Sequence, residues 1–301
     1  MGEINTKFVE HEYDYVKPAS LDEVLDILAE KKDKASIYAG GTDLLVHLKM
    51  GKGADMEVMV DINGIDELFG VTKTDDEVRI GAAEKIWVLE THPVIKELYP
   101  ALAKAMSLMA SISVRNMASI GGNFCNASPV ADTVGPCMCY GGQVELKSKE
   151  RGTRLVDATE FFVGPGRTVI EPDEILSAII LPVPKENTGD SFTKVSRVRP
   201  DIAKISFTCA ITRDGDKVET CRIAMGTVAP TPKFFGEISS ELDGKKMTRE
   251  LIQETADKLE AAIKPRKKSR SSTPEYKKAM TQLMAKENLE TAWRASGGEL
   301  A

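Results

Sequence analysis

Leu21, Val24, Leu25 and Leu28 recur at helical spacing, and Ser20 with Glu23 supplies a capping-box start just after Pro18. The helix decays into Lys31-Lys32-Asp33-Lys34. A β-leaning run, Ala35-Ser36-Ile37-Tyr38-Ala39, follows and stops at Gly40-Gly41. Apolar residues over 43–49 predict a short helix, and 57–62 and 78–82 read as strands. The pattern over 94–110 predicts one helix leading into a second glycine-centred loop, Ser119-Ile120-Gly121-Gly122-Asn123. Three further strand-like runs lie at 143–147, 154–156 and 175–181. The opening is a small α/β unit, and the elements after it continue in the same mixed style.

Pro182, Pro184 and the polar stretch 185–190 mark the best domain boundary. Beyond it the order changes to strands followed by helices. Runs at 204–212 and 218–225 flank Asp214-Gly215, a hairpin signal. Two amphipathic helices close the chain. One carries Ile252, Ala256, Leu259 and Ile263; the other starts at Ser272-Thr273-Pro274-Glu275 and carries Tyr276, Met280, Leu283 and Met284. No internal repeat or low-complexity tract is present.

With 42% hydrophobic and 29% charged residues, the 301-residue chain can bury a core for two domains, which excludes disorder and a disulfide miniprotein. Forty basic against 46 acidic residues give a net charge of −6, a poor field for nucleic acid or anionic membrane. The basic run 264–270 lacks interleaved aromatics and reads as a solvated connector. Met1 to Asn5 shows no secretory signal, no apolar stretch is long enough to insert in a membrane, and five unpaired cysteines fit a cytoplasmic setting.

The usual catalytic and cofactor signatures are missing. There is no Gly-x-Gly-x-x-Gly after a strand, no P-loop, no Gly-x-Ser-x-Gly elbow, and no zinc spacing among His11, His47 and His92. Cys137-x-Cys139 is too tight for a zinc knuckle, and both cysteines read as small apolar residues. No role is assigned to Cys125.

The informative residues are the two glycine pairs. Each interrupts an apolar run and precedes a hydrogen-bonding side chain, Thr42 or Asn123. Paired glycines open unusual backbone conformations and leave no side chain against a ligand, so their amides can converge on an anion. Two unrelated tight turns, or the two walls of a diphosphate clamp, are both compatible with these residues.

Ala39-Gly40-Gly41-Thr42-Asp43-Leu44-Leu45 together with Ser119-Ile120-Gly121-Gly122-Asn123 resembles the two FAD loops of the flavoprotein subunits of molybdenum hydroxylases, the group of carbon monoxide dehydrogenase and xanthine dehydrogenase. Asn126-Ala127-Ser128-Pro129-Val130-Ala131-Asp132 resembles the continuation of the second loop. Asp201-Ile202-Ala203, Gly226-Thr227-Val228-Ala229-Pro230-Thr231-Pro232 and Arg270-Ser271-Ser272-Thr273-Pro274-Glu275-Tyr276 resemble the family's C-terminal signatures.

The resemblance implies an α+β chain. It places a p-cresol methylhydroxylase-type FAD-binding domain at 1–184, with α/β subdomains of about 1–62 and 63–184. A C-terminal antiparallel sheet plus helices follows at 190–301. It further implies that Ile37, Tyr38, Ala39, Gly40, Gly41, Thr42, Asp43 and Leu44 wrap the FAD diphosphate, and that Ser119, Ile120, Gly121, Gly122 and Asn123 form the second wall. Asn126 and Ser128 become polar contacts, and Asp132 a ligand of the adenosine half. Met109 falls on the adenine side, Leu176 and Lys194 around the flavin (a slip of one would substitute Thr193), and Phe192 beside the isoalloxazine. No residue of this chain is implied as acid, base or nucleophile, and no metal. Molybdopterin and two-iron clusters are implied on a large subunit and an iron–sulfur small subunit, with NAD(P)+ or a quinone as acceptor. A stand-alone FAD-dependent reductase of the same fold, or a scaffold that has lost FAD, are the rival readings.

Overall fold

A computed structural model describes residue 9 and residues 12–53, 55–266 and 272–300. Most of the basic run 264–270, the start of the Arg270–Tyr276 signature and the residues Met1 to Asn5 lie outside the described residues.

Three sheets of three or more strands, with a two-stranded ribbon of Phe162–Gly164 and Arg167–Thr168, organise the described residues. The first is parallel, with Val58–Asp61 between Asp14–Val16 and Ala35–Tyr38. The helix Leu21–Lys31 packs on it through Leu21, Val24 and Leu28, which meet Val58 and Val60. Its start is the expected one: Ser20 Oγ accepts from the Glu23 amide, and Glu23 Oε2 accepts from the Ala19 amide at 2.8 Å.

The second sheet is antiparallel, in the order Val71–Lys73, Glu77–Gly81, Glu174–Pro182, Gln143–Ser148, Gly152–Asp157. The third, also antiparallel, runs Thr188–Val195, Ile205–Asp214, Lys217–Gly226, Lys233–Phe234. Gly215, at φ +58°, makes the predicted hairpin turn. The connector is shorter than 185–190, because the strand Thr188–Val195 already begins inside that stretch.

Residues 205–211 are buried without a break, and the side chains alternate between two cores. Phe207, Cys209 and Ile211 meet the helices Arg249–Ala262 and Pro274–Ala295 through Leu259, Leu289 and Trp293. Ala210, with Ala224 and Phe192, joins the core of the first half beside Val134 and Met138. Cys137, Cys139, Cys209 and Cys221 are all buried in these cores, consistent with packing as small apolar groups.

The single helix expected over 94–110 is two, Pro93–Leu98 and Pro100–Ser107. Pro100 lacks an N–H and forces Tyr99 out of the helical region, to φ −134°, ψ 58°. Helices Ile86–Thr91, Ile112–Met117, Ile120–Cys125 and Val134–Cys139 were not predicted. Each has six residues, too few for an apolar period to declare itself.

Candidate functional site: a cavity between two glycine bends

The first bend leaves the parallel sheet at Tyr38. Gly41 sits at φ +68°, and a Cβ there would lie 2.4 Å from the Tyr38 ring, so both backbone and space require glycine. Gly40 is pressed against another segment: a Cβ would fall 2.1 Å from the Met117 carbonyl oxygen and 2.9 Å from Ala118 Cα. The two bends therefore touch, since Ala118 immediately precedes Ser119. The amides of Gly40, Gly41, Thr42, Asp43 and Leu44 donate to no acceptor among the described residues. Five successive unpaired donors are rare in a folded chain unless a ligand or water takes them.

The second bend is built differently from expectation. It is the first turn of the helix Ile120–Cys125, capped by Ser119. Its amides are already committed: Ile120 N to Glu84 O, Gly121 N to Ala82 O, Gly122 N to Ser119 Oγ, and Asn123 N to Ser119 O. The expectation that both bends offer main-chain donors is corrected here: Ser119 takes the Gly122 and Asn123 amides at the helix start, and the carbonyls of Glu84 and Ala82 take those of Ile120 and Gly121. Gly121 is needed for close packing, as a Cβ would lie 2.7 Å from both Ala82 Cβ and Ala82 O. Gly122 instead presents a bare Cα; a Cβ there would meet only Ser119 Oγ, at 3.0 Å.

Both bends line one cavity of about 690 Å³. That lies within the roughly 300–1,000 Å³ of small-molecule sites. Every residue implied as an FAD contact lines it except Tyr38, Ile120 and Phe192. Tyr38 packs with Leu48, Met56 and Met59, while Ile120 and Phe192 are core residues. Thr193 Oγ1 turns to Asn288 Oδ1 at 3.0 Å, so Lys194, not Thr193, is the cavity residue.

Asp132 and Lys194 form a buried pair, 8% and 2% exposed, with Nζ 2.8 Å from Oδ2. Lys194 Nζ also donates to Leu108 O at 3.0 Å. Burial pushes the Asp132 carboxyl above its ordinary range, against the pull of Lys194. Its Oδ1 is buried and has no partner among the described residues.

Sequence reasoning missed several contributors. Arg115, buried, donates from Nη1 to Met109 O at 2.8 Å and Ala110 O at 3.2 Å, and its Nε lies 2.6 Å from Glu90 Oε2. It thereby fixes the cavity-lining turn in which Ala110 takes φ +42°. Glu174, on the cavity wall, is held by Arg154 at 2.7 and 2.8 Å. Neither arginine carried a local motif. His47 and Ile202 also line the cavity; Ile202 alone had a signal, within Asp201-Ile202-Ala203.

Cys125 opens onto the cavity, whereas the other four thiols are buried in the cores. The protein packed around its sulfur pushes the thiol up to about 12. In the ligand-free native chain a maleimide should label Cys125 alone, slowly at neutral pH and faster in alkali as the thiolate forms. A cavity ligand should protect it. Labelling of two or more cysteines in the folded chain would contradict this placement.

Among the described residues no helix is long and apolar enough to cross a membrane, and no group of three or more His, Cys, Asp or Glu side chains is placed to hold a metal ion.

Residues 10–184 match the family described as the FAD binding domain in molybdopterin dehydrogenase, and residues 190–292 the CO dehydrogenase flavoprotein C-terminal domain. The chain is 32% identical over 289 residues to the xanthine dehydrogenase FAD-binding subunit of Escherichia coli O157:H7, covering 95% of this chain and 98% of that subunit. It is 32% identical over 281 residues to the carbon monoxide dehydrogenase medium chain of Hydrogenophaga pseudoflava, covering 93% and 97%. A chain of the solved carbon monoxide dehydrogenase of Hydrogenophaga pseudoflava superposes with a TM-score of 0.90 at 30% identity, covering 96% of this chain and 99% of that one. The fold is thus the p-cresol methylhydroxylase type with a C-terminal antiparallel sheet domain, the cavity sits between the two glycine bends, and the chain belongs to the FAD-binding subunits of the molybdopterin dehydrogenases.

Proposed function

We propose that this chain holds FAD in the cavity and serves as the electron-transferring flavin subunit of a molybdenum hydroxylase complex. The observation that carries this reading is the row of five unpaired amides, Gly40 to Leu44, on the wall of the same cavity as the bare Cα of Gly122. A diphosphate supplies the acceptors those donors lack. The orphaned Asp132 Oδ1 fits a hydroxyl of the adenosine half in the same way.

In this reading the residues bind and orient; none transfers a proton. The amides of 40–44 and the Thr42 hydroxyl hold the diphosphate, and Ser119, Asn123, Asn126 and Ser128 add polar contacts. Met109 and Leu176 give apolar walls, and Lys194 brings a positive charge that Asp132 fixes in place. Residues 1–184 act as the FAD-binding domain and 190–301 as its cover. When bound, FAD supplies redox chemistry linking two-iron clusters of a small subunit, fed by a molybdopterin-bearing large subunit, to NAD(P)+ or a quinone.

The purified full chain should be yellow and release FAD on denaturation. A colourless chain that takes up no added FAD would point to a scaffold. Substrate turnover by the chain without partner subunits would point to a self-sufficient reductase.

A further inference from the structure

Asn63 stands two residues beyond the strand Val58–Asp61, outside the cavity lining, yet its side chain connects both glycine bends. Its Nδ2 donates to Ala39 O at 2.7 Å and to Asp61 Oδ1 at 2.7 Å; its Oδ1 accepts from Lys85 Nζ at 2.8 Å. Its backbone amide donates to the same Asp61 Oδ1 at 2.9 Å. All the hydrogens of the side-chain amide are used, and its orientation is fixed. Turned over, its oxygen would face a carbonyl and a carboxylate, and its NH₂ an ammonium.

The two ends of this bridge lead to the two bends. Ala39 is the residue before Gly40, so the carbonyl that Asn63 holds belongs to the peptide whose N–H is the first of the unpaired row. Lys85 is stitched to the other side: it forms a β-bridge with Ser119, while its neighbours Ile86 N and Glu84 O pair with Ala118 O and Ile120 N at 2.9 and 3.1 Å. Lys85 Nζ also lies 5.9 Å from the Phe69 ring centroid, which limits where the ammonium can go. Asp61 anchors the middle. Burial would raise its carboxyl, but hydrogen bonds from Tyr15 and Asn63 hold it below its ordinary range, so it remains an ionised acceptor.

We infer that Asn63, with Lys85, is a positioning residue of the cofactor site: one side-chain amide fixes the direction of the Ala39–Gly40 peptide relative to the helix that begins at Ser119. This rests on the diphosphate-binding reading above and adds to it a residue that touches no ligand. The unpaired amides bind an anion only if they are aimed before it arrives, and Gly40 and Gly41 lack the side chains that would stiffen the bend from within. The stiffness comes from outside, through Asn63.

The test uses the full-length chain stripped of flavin, with FAD and ADP as separate probes, since both carry the diphosphate. Asn63→Leu keeps the size and removes every side-chain hydrogen bond; Lys85→Met keeps the stem and removes one. Asn63→Leu should weaken FAD and ADP by the same factor, about tenfold or more, the scale of one or two lost hydrogen bonds. Lys85→Met should weaken both by a smaller common factor. The melting temperature of the ligand-free chain should stay near that of the wild type in Lys85→Met, because that lysine is only partly buried and the substitution removes one side-chain hydrogen bond.

A purely structural role would lower that melting temperature without a shared loss of FAD and ADP affinity. Wild-type affinity in both variants overturns the inference. So does loss of folding in Asn63→Leu combined with unchanged binding in Lys85→Met. A wild-type chain that binds neither FAD nor ADP refutes the cofactor reading and takes this inference with it; a binding wild type with equally tight variants refutes this inference alone.

Discussion

Gly122→Val is expected to give a folded, colourless protein. A Cβ at this position meets nothing but Ser119 Oγ at 3.0 Å, and the glycine lies in a helix at an ordinary backbone angle. The folding penalty should therefore stay within about 1 kcal/mol, since valine is no worse than glycine in a helix. The two methyl groups, however, would be added at a residue that lines the same cavity as the unpaired amides. FAD affinity should fall by about a hundredfold or more, the scale of overpacking a close-fitting site by roughly 3 kcal/mol. Flavin absorbance per chain and thermal melting, measured on the same preparation, separate the two effects. A variant that melts like the wild type and still carries a full complement of flavin would remove Gly122 from the binding wall.

Lys194→Met should cost stability in a way that grows with pH. The methionine fits the buried site of the lysine stem, but Asp132 is left without its ammonium partner. Breaking a buried pair from one side costs about 3–5 kcal/mol while the remaining group stays charged. Burial already holds the Asp132 carboxyl above its ordinary range in the native chain. A raised folded-state pKa means its favourable contribution is complete below the unfolded value, about 3.9, and is lost as pH rises through the folded value. Removing Lys194 raises the folded value further, so the loss deepens. Denaturant midpoints for variant and wild type should lie close together near pH 4 and separate steadily towards about pH 7. A gap that is constant, or wider in acid, would show that the pair is not ionised in the native protein. The variant should also bind FAD more weakly, because the orphaned Asp132 Oδ1 loses the neighbour that orients its carboxylate.

What could be read from the sequence was local chemistry. Ser20 and Glu23 announced a helix start, Asp214-Gly215 a hairpin, and Gly40-Gly41 a bend, because each depends on a few adjacent residues. Pro100 was equally visible, yet the apolar pattern on either side of it outweighed the break it imposes. The second glycine pair shows the limit more clearly. Gly121 and Gly122 have the same composition as Gly40 and Gly41, but the Ala82 carbonyl takes the amide of one and the capping Ser119 hydroxyl that of the other. Composition announces a bend without saying where its N–H groups point.

Long-range partners were not legible at all. Asp132 and Lys194 are 62 residues apart, and Lys85 is 22 from Asn63. Such pairs meet only in the packed chain, because their members follow or lie on different sheets and loops. Phe192 lies on the same face of its strand as Lys194 but two residues earlier, where that face packs into the core of the first half instead of lining the cavity, a difference of position along the strand that alternation does not reveal.

The strand over 205–211 has a consequence for what substitutions the chain can accept. Odd-numbered residues there serve the helical cover and even-numbered ones the flavin half, so no position along it faces water. The strand is a party wall, and repairs on one side are felt on the other. Neither half can be traded for a foreign counterpart without a matching surface on this wall, which ties the evolutionary fates of the cofactor cradle and its cover together.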